Sequence, residues 1–361
     1  FDILTPLVEN TEVNDVIVRA YNDISIQIGR RNIQTDLRFA GKDAYKAFVE
    51  NLLKRAGKAC TLSTPVVDAA LTQNIRACVT HESFSPAGSG PMLTLRIARH
   101  GAISLEGLAV RELAPPQILD YLSVLVKSAQ ATLLIAGEVG TGKTTLIKAL
   151  ASRIDPEEAI LVIEDTHELA LDRPFVRTLL TREANTEGAG RITPAQAIRT
   201  GMRMAMNRVI LGEMRDGEAA EAFIDVCASG HPGMSTIHAR SARDALLRLE
   251  LFLSRAQGNV TIDTVRRQIA HAISAVVYLG VDKAQRKRRI MSVVEVGTAA
   301  DGAVQLSPVF SYAPSGPFAE WIRESGISFF TGTLHEHAVV LPLPGQRIGF
   351  DPDELYCTSS T

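Results

Sequence analysis

Cysteine is scarce in this 361-residue chain, and its four copies (Cys60, Cys78, Cys227 and Cys357) lie far apart with no C-x-x-C pair. That pattern excludes a disulfide-stapled scaffold, argues against a structural zinc, and fits a reducing cytosol. Long apolar runs are missing as well. None approaches the ~18 residues of a membrane span, so membrane association is expected to be peripheral. The opening Phe1-Asp-Ile-Leu4 has neither the basic start nor the long apolar middle of a signal peptide, and the absence of Met suggests a trimmed start. An excess of either charge is lacking too. A net charge of −2 argues against a general nucleic-acid coat. No internal repeat is visible. What remains, 46% apolar and 22% charged residues, is ordinary for a globular chain, and the length allows two domains around a large core.

Against this plain background one stretch stands out. Gly137-Glu138-Val139-Gly140-Thr141-Gly142-Lys143-Thr144-Thr145 fits the phosphate-binding pattern G-x-x-x-x-G-K-[ST]. Glycines let successive backbone N–H groups converge on phosphate oxygens without Cβ clashes. Lys143 is expected to place its charge on the β- and γ-phosphates of a nucleotide, and Thr144 its hydroxyl on Mg²⁺. The flanks agree. Ala131 to Ala136 reads as a buried strand, and Thr145 to Ser152 as a helix opening at the loop.

Residues 1–97 read as a small α+β domain. Val16, Val18, Ile24, Ile26 and Ile28 alternate around a turn at Tyr21-Asn22-Asp23. A helix follows from about Lys42, with Tyr45, Phe48, Val49, Leu52 and Leu53 on one face and Gly57 at its end. Ile75–Val79 and Leu93–Ile97 look like strands, and Ser85 to Pro91 like a loop. Residues 98–116 are expected to be a linker. From 117 to about 300, strands and helices alternate, which implies a parallel sheet. Ala159–Ile163 stops at Glu164-Asp165, Val209–Leu211 at Gly212-Glu213, and Met234–Ile237 at His238. Thr193-Pro194, Asp216 and Ser241 start the intervening helices. Open parallel sheets bind ligands at the carboxyl ends of their strands. The loop, Glu164, Glu213 and His238 all stand at such ends. Past residue 300 only Val304–Tyr312 suggests a strand, and 301–361 is an extension of unassigned fold.

Phosphoryl transfer to water needs Mg²⁺, a carboxylate that orients the water and a positive charge for the transition state. Glu213 suits the Mg²⁺ side, through a water ligand, and Glu164 the water-activating side. The bland alternative for each is a strand-end cap or an ion pair. His231 and His238 are seven residues apart in Gly230-His-Pro-Gly-Met-Ser-Thr-Ile-His238. Such pairs are more often structural, although His238 at a strand end could sense a γ-phosphate.

Four stretches in this order and spacing resemble the type II/type IV secretion ATPase family. They are the phosphate loop, Ile163-Glu-Asp-Thr-His-Glu-Leu169, Val209-Ile-Leu-Gly-Glu-Met-Arg-Asp216 and Gly230-His to Thr-Ile-His-Ala239. Ala245-Leu-Leu-Arg-Leu-Glu250 and Arg267-Gln-Ile-Ala270 are similar to the Tad/Flp pilus and conjugal-transfer branch. The resemblance spans residues 10–297. It implies a RecA-like P-loop NTPase core of the α/β class, preceded by the small α+β domain. It implies ATP and Mg²⁺ as ligands, a homo-hexamer, inner-membrane platform proteins as partners, and a cytoplasmic place peripheral to the bacterial inner membrane. By resemblance Glu164 is the general base, Glu213 the Walker B glutamate, His231 and His238 the His-box pair. Arg76 and Arg96 match arginines that reach the nucleotide from the N-domain and linker, with Arg182 and Arg191 as looser candidates. A surface ion pair is the alternative for each arginine.

The chain also departs from the family. Met204-Ala-Met-Asn207 replaces the usual sequence before Walker B, the N-domain lacks a Pro-Asp-Gly turn near Thr72-Gln73, and residues past 300 have no counterpart. The basic run Lys283-Ala-Gln-Arg-Lys-Arg-Arg289 reads as a solvated hairpin tip more readily than as a lipid or nucleic-acid contact. A nucleic-acid-stimulated, helicase-type motor is the alternative function, with near-neutral charge against it. No specific nucleic acid is expected.

Overall fold

A computed structural model describes residues 1–29, 31–72, 74–85, 90–98, 103–127, 131–184, 189–299, 304–314 and 319–350. Gln73, Cys357, residues 86–89 of the expected loop, 99–102 of the expected linker, and 315–318 and 351–361 of the extension lie outside that set.

Two compact units divide the chain. The first comprises Phe1–Gly101 together with Asp165–Ala170 and Leu180–Thr193, and the second comprises the rest. In the first unit, α1 (Thr5–Glu9) and β1 (Asp15–Ala20), β2 (Asp23–Ile28) and β3 (Arg31–Gln34) precede α2 (Lys42–Arg55). Then come β4 (Val66–Ala70), β5 (Ile75–Thr80) and β6 (Met92–Ile97). The sheet order is β3-β2-β1-β6-β5-β4, and every pairing is antiparallel. Strand alternation explains the core: Ile75, Ala77 and Val79 are buried, while Arg76, Cys78 and Thr80 take the other face. α2 adds Tyr45, Val49, Leu52 and Leu53 to the same apolar cluster. It ends in Gly57 at φ +66°, with the Lys58 N–H bonded back to the Leu53 carbonyl, a turn that glycine makes without strain.

The second unit begins with α3 (Leu105–Val110) and α4 (Pro116–Lys127). The stretch expected to be linker therefore holds a helix, whose Leu105, Leu108 and Ala109 are buried. Next in the chain are β7 (Leu133–Gly137), α5 (Lys143–Ala151), β8 (Ile160–Glu164) and β9 (Val176–Leu180). They lead to α6 (Pro194–Gly201), β10 (Arg208–Leu211), α7 (Gly217–Ala228), β11 (Gly233–Ile237), α8 (Ala242–Gln257) and α9 (Ile262–Ala272). Last are β12 (Ala275–Asp282), β13 (Lys287–Thr298), β14 (Val304–Tyr312), β15 (Glu320–Arg323), α10 (Thr331–Glu336) and β16 (Arg347–Gly349).

The ten strands run in the order β16-β15-β14-β13-β12-β7-β11-β10-β8-β9. From β12 through β7, β11 and β10 to β8 the pairing is parallel. Every residue of β7, β8, β10 and β11 is buried, as parallel strands covered on both faces must be. α6 to α9 pack their apolar stripes, including Phe223, Leu249, Leu253 and Ile269, into one core cluster with these strands. Side-chain caps fix three helix starts: Asp216 accepts from the Ala219 N–H, Ser241 from Asp244 and Thr261 from Thr264. The fold is thus an α/β core built around the phosphate loop and preceded by an α+β unit.

From β12 to β16 the pairing turns antiparallel, so residues past 300 extend the core sheet. The basic run Lys283–Arg289 forms the β12–β13 hairpin. Lys283 and Arg286 are exposed, yet Arg289 is wholly buried and paired with Glu112. Among the described residues, no helix is long and apolar enough to cross a membrane.

Candidate functional site

The loop leaves β7 where backbone crowding admits only glycine. A Cβ on Gly137 would stand 2.6 Å from the Leu279 carbonyl oxygen on β12. Gly142, just before α5, has φ +98°, in the left-handed region that favours glycine. The Thr141 hydroxyl donates to the Glu138 carbonyl at 2.8 Å and ties the loop across itself. Val139 is exposed at its crest. Thr144 and Thr145 lie in the first turn of α5, where backbone N–H groups without intrahelical acceptors suit an anion.

Lys143 is buried, and its Nζ donates to the carbonyls of Gly137 and Glu138, both at 3.0 Å. The same Nζ stands 3.2 Å from Nδ1 of His238. Nε2 of His238 is 2.7 Å from Oε1 of Glu213. Chemistry assigns the tautomer. An ammonium can only donate, so Nδ1 accepts; a carboxylate accepts, so Nε2 carries the hydrogen. Burial, aided by the Lys143 charge and opposed by Glu213, moves the His238 pKa below its ordinary 6.5. That shift favours the neutral ring. Arg215 closes the chain of contacts, its guanidinium 2.6 Å from Oε2 of Glu213. Sequence reasoning passed over Arg215, although its place two residues beyond the strand-end glutamate was a usable signal.

Two further bonds hold the strand ends in register. The Thr236 hydroxyl donates to the Gly212 carbonyl at 2.7 Å, and the Met214 N–H to the Thr236 carbonyl at 2.9 Å. Glu164 is buried at the end of β8, against Gly212, where an added Cβ would be 3.5 Å from its Cγ. Lys148 on α5 has its pKa lowered by burial, opposed by the Glu164 charge. Lys143, His238 and Glu213 thus form one bonded chain, with Glu164 beside its backbone.

His231 is not brought to this cluster. It lies before β11, near Ser229, and seven residues of extended chain, at about 3.3 Å each, separate it from His238. Arg76 and Arg96 belong to the N-terminal unit, where they face each other across β5 and β6. Like charges in register repel. Asp165, in the same unit, relieves this at 3.9 Å from Arg76, and Asp15 pairs in register with Arg96. Burial raises the Asp15 pKa, partly offset by Arg96. Arg182 donates to the Gly190 carbonyl and Arg191 pairs with Glu183, both in the N-terminal unit.

The chain is similar to several known proteins. The "Putative conjugal transfer protein" of Mycobacterium tuberculosis is 29% identical over 338 residues, covering 92% of each chain. The type IV secretion system protein PtlH of Bordetella pertussis is 38% identical over 174 residues, or 47% of this chain and 51% of that one. Among solved structures, the pilus retraction motor PilT with bound ADP superposes with a TM-score of 0.57 at 16% identity, over 84% of this chain and 80% of PilT. The Legionella pneumophila ATPase DotB gives 0.56 at 14% identity, over 85% and 78%. At these identities the superpositions speak to the fold alone. The family described as type II/IV secretion system protein matches residues 1–300. By that match, with the loop and strand-end residues in place, this chain belongs to the type II/IV secretion system protein family.

Proposed function

We propose that this chain is an ATPase that drives a bacterial secretion, pilus or conjugal-transfer machine. The observation that carries the reading is the bonded chain Lys143–His238–Glu213 at the mouth of a glycine loop, with the buried Glu164 alongside. The loop N–H groups and Lys143 would bind the phosphates, the lysine exchanging loop carbonyls for phosphate oxygens. The nucleotide is held by Gly137 to Thr145. The Thr144 hydroxyl and the Glu213 carboxylate suit Mg²⁺, an ion that takes oxygen donors and keeps several waters. When bound, Mg²⁺ would neutralise charge on the phosphates.

Glu164 would take the proton of the attacking water as its oxygen bonds to the γ-phosphorus and the bond to the β-phosphate oxygen breaks, releasing ADP and phosphate. The neutral His238 ring, losing Lys143 to the phosphates, would report the γ-phosphate to Glu213. Arg76 and Arg96 would be the sources of positive charge for the transition state. His231, at the other end of β11, has no part in this chain of contacts. The motor works as a homo-hexamer on the cytoplasmic side of the inner membrane. It is bound peripherally to platform proteins there, and it binds no specific nucleic acid.

Phosphate release by the purified full-length chain, with Mg²⁺ and ATP, tests the reading, beside light-scattering mass with and without nucleotide. No turnover by a folded chain would overturn the enzyme assignment. Strong stimulation by single-stranded DNA would favour a helicase-type motor instead.

A further inference from the structure

A cavity of about 310 Å³ opens beside the phosphate loop, at the small end of ligand-pocket sizes. Leu108, Val110 and Leu113, from α3 and the turn after it, give it an apolar wall. Gly142 and Thr145 bound it on the loop side, and Arg111, Lys287 and Arg288 line it as well. All belong to the second compact unit.

Arg288 is set in place by its neighbours. Successive residues of a strand face opposite ways. Arg289 turns inward, its guanidinium bonded to Glu112 at 2.9 Å and to Gln285 at 2.6 Å, and Lys287 also reaches Glu112 at 2.7 Å. The Ile290 N–H donates to the Leu113 carbonyl at 2.9 Å, which fastens β13 to the apolar wall. Arg288 is exposed, its Cδ 3.8 Å from the point a Cβ on Gly142 would occupy.

A nucleotide whose phosphates fill the loop must lodge its base near by. A flat aromatic base gains by leaving water for an apolar wall, and a planar guanidinium stacks on such a ring. We propose that this cavity takes the nucleobase and that Arg288 covers it, its guanidinium stacked on the ring. The inference rests on reading the loop as a nucleotide site. It adds a base-contact residue outside the family's motifs, and gives Glu112, through Arg289 and Lys287, the role of positioning the hairpin.

Titration calorimetry of the full-length chain tests it, with ATP and with tripolyphosphate, which carries no base or ribose. Arg288→Ala is expected to weaken ATP roughly three- to thirtyfold, the range of a cation–ring contact. Arg288→Lys should recover little of this, having the charge without the plane. Tripolyphosphate should bind the wild type and both variants alike. ATP affinity unchanged in Arg288→Ala overturns the proposal. So does an equal loss for tripolyphosphate, which would place Arg288 on the phosphates. A wild type that binds neither ligand instead overturns the nucleotide reading of the loop.

Discussion

The two halves of the ten-stranded sheet handle charge in opposite ways. In the parallel half, charged residues stand at strand ends: Arg208 at the start of β10, Glu164 at the end of β8, and Glu213 and His238 just past β10 and β11. In the antiparallel half, Arg289 and Glu295 sit inside β13 and are wholly buried. Arg289 is bonded to Glu112. Glu295 accepts from the Tyr121 hydroxyl at 2.5 Å, the Ser328 hydroxyl at 2.6 Å and the Phe329 N–H at 2.5 Å. Strand ends leave polar groups open to a ligand. A charge within a strand must be satisfied from inside or it costs several kcal/mol. Substitutions at the carboxyl ends of the parallel strands should therefore cost activity, and those of the charges buried within β13 stability.

The largest expected effect is that of Lys143→Ala. It removes the one cation inside the loop and should lower ATP turnover on the order of a hundred- to a thousandfold, the scale of losing a preorganised charge contact. Circular dichroism should show an intact fold, because the Nζ bonds to two loop carbonyls and to His238 lie at the rim of the phosphate loop. Turnover near wild type would break the comparison at its functional end.

Glu164→Gln and Glu213→Gln come next. Both keep shape and lose charge, so ATP should still bind while turnover falls by roughly a hundredfold or more. Equilibrium binding and single-turnover hydrolysis, measured side by side, separate the two. If Glu164→Gln hydrolyses normally, the base lies elsewhere, with Asp165 and Glu168 next in line.

Glu295→Ala is the mirror case. It strands three buried donors and should cost about 3 kcal/mol. Trp321, the single tryptophan, is buried in the same half, and its indole N–H donates to the Ile290 carbonyl at 2.6 Å. Its fluorescence in urea should shift to a lower midpoint, while turnover at low temperature stays near wild type. Lost turnover in a folded Glu295→Ala chain would erase the distinction between the halves.

This division also explains what was legible in the sequence. The parallel strands are short apolar runs with polar residues just past them, so β8, β10, β11 and the loop stood out, as did the caps Asp216 and Ser241. Val304–Tyr312 alternated well enough to read as a strand. The hairpin of β12 and β13 was legible too, whereas β15, α10 and β16 were not, because their order depends on long-range partners. Glu295 is explained by Tyr121, 174 residues earlier, and Arg289 by Glu112, 177 earlier. The basic run at 283–289 looked solvated from composition, and only the hairpin register shows that its last member turns inward. The pocket wall from α3 was hidden for the same reason, lying in a stretch that composition marked as linker.

The smallest effect sharpens the comparison within a single carboxylate. Glu112 holds two cations, Arg289 with a fully buried side chain and Lys287 with one 48% exposed. Exposed pairs are screened by water and contribute little, so Lys287→Ala should cost less than about 1 kcal/mol. Arg289→Met removes the buried partner and leaves the Gln285 oxygen and the Glu112 carbonyl without their donor, which should cost about 3 kcal/mol. The pH dependence should draw on both cations. Burial pushes the Glu112 pKa up, but hydrogen bonds and charge from Lys287 and Arg289 outweigh it, and the net shift is below the ordinary 4.5. A carboxyl with a depressed folded pKa stabilises the fold fully above its unfolded value and loses that contribution as pH falls through the folded one. The wild type should thus lose stability below about pH 4.5, read as the Trp321 fluorescence midpoint in urea. Part of that slope should vanish in Lys287→Ala and part in Arg289→Met, because both cations hold the carboxyl down. Equal slopes in all three chains would show that Glu112 is held by something other than these two cations.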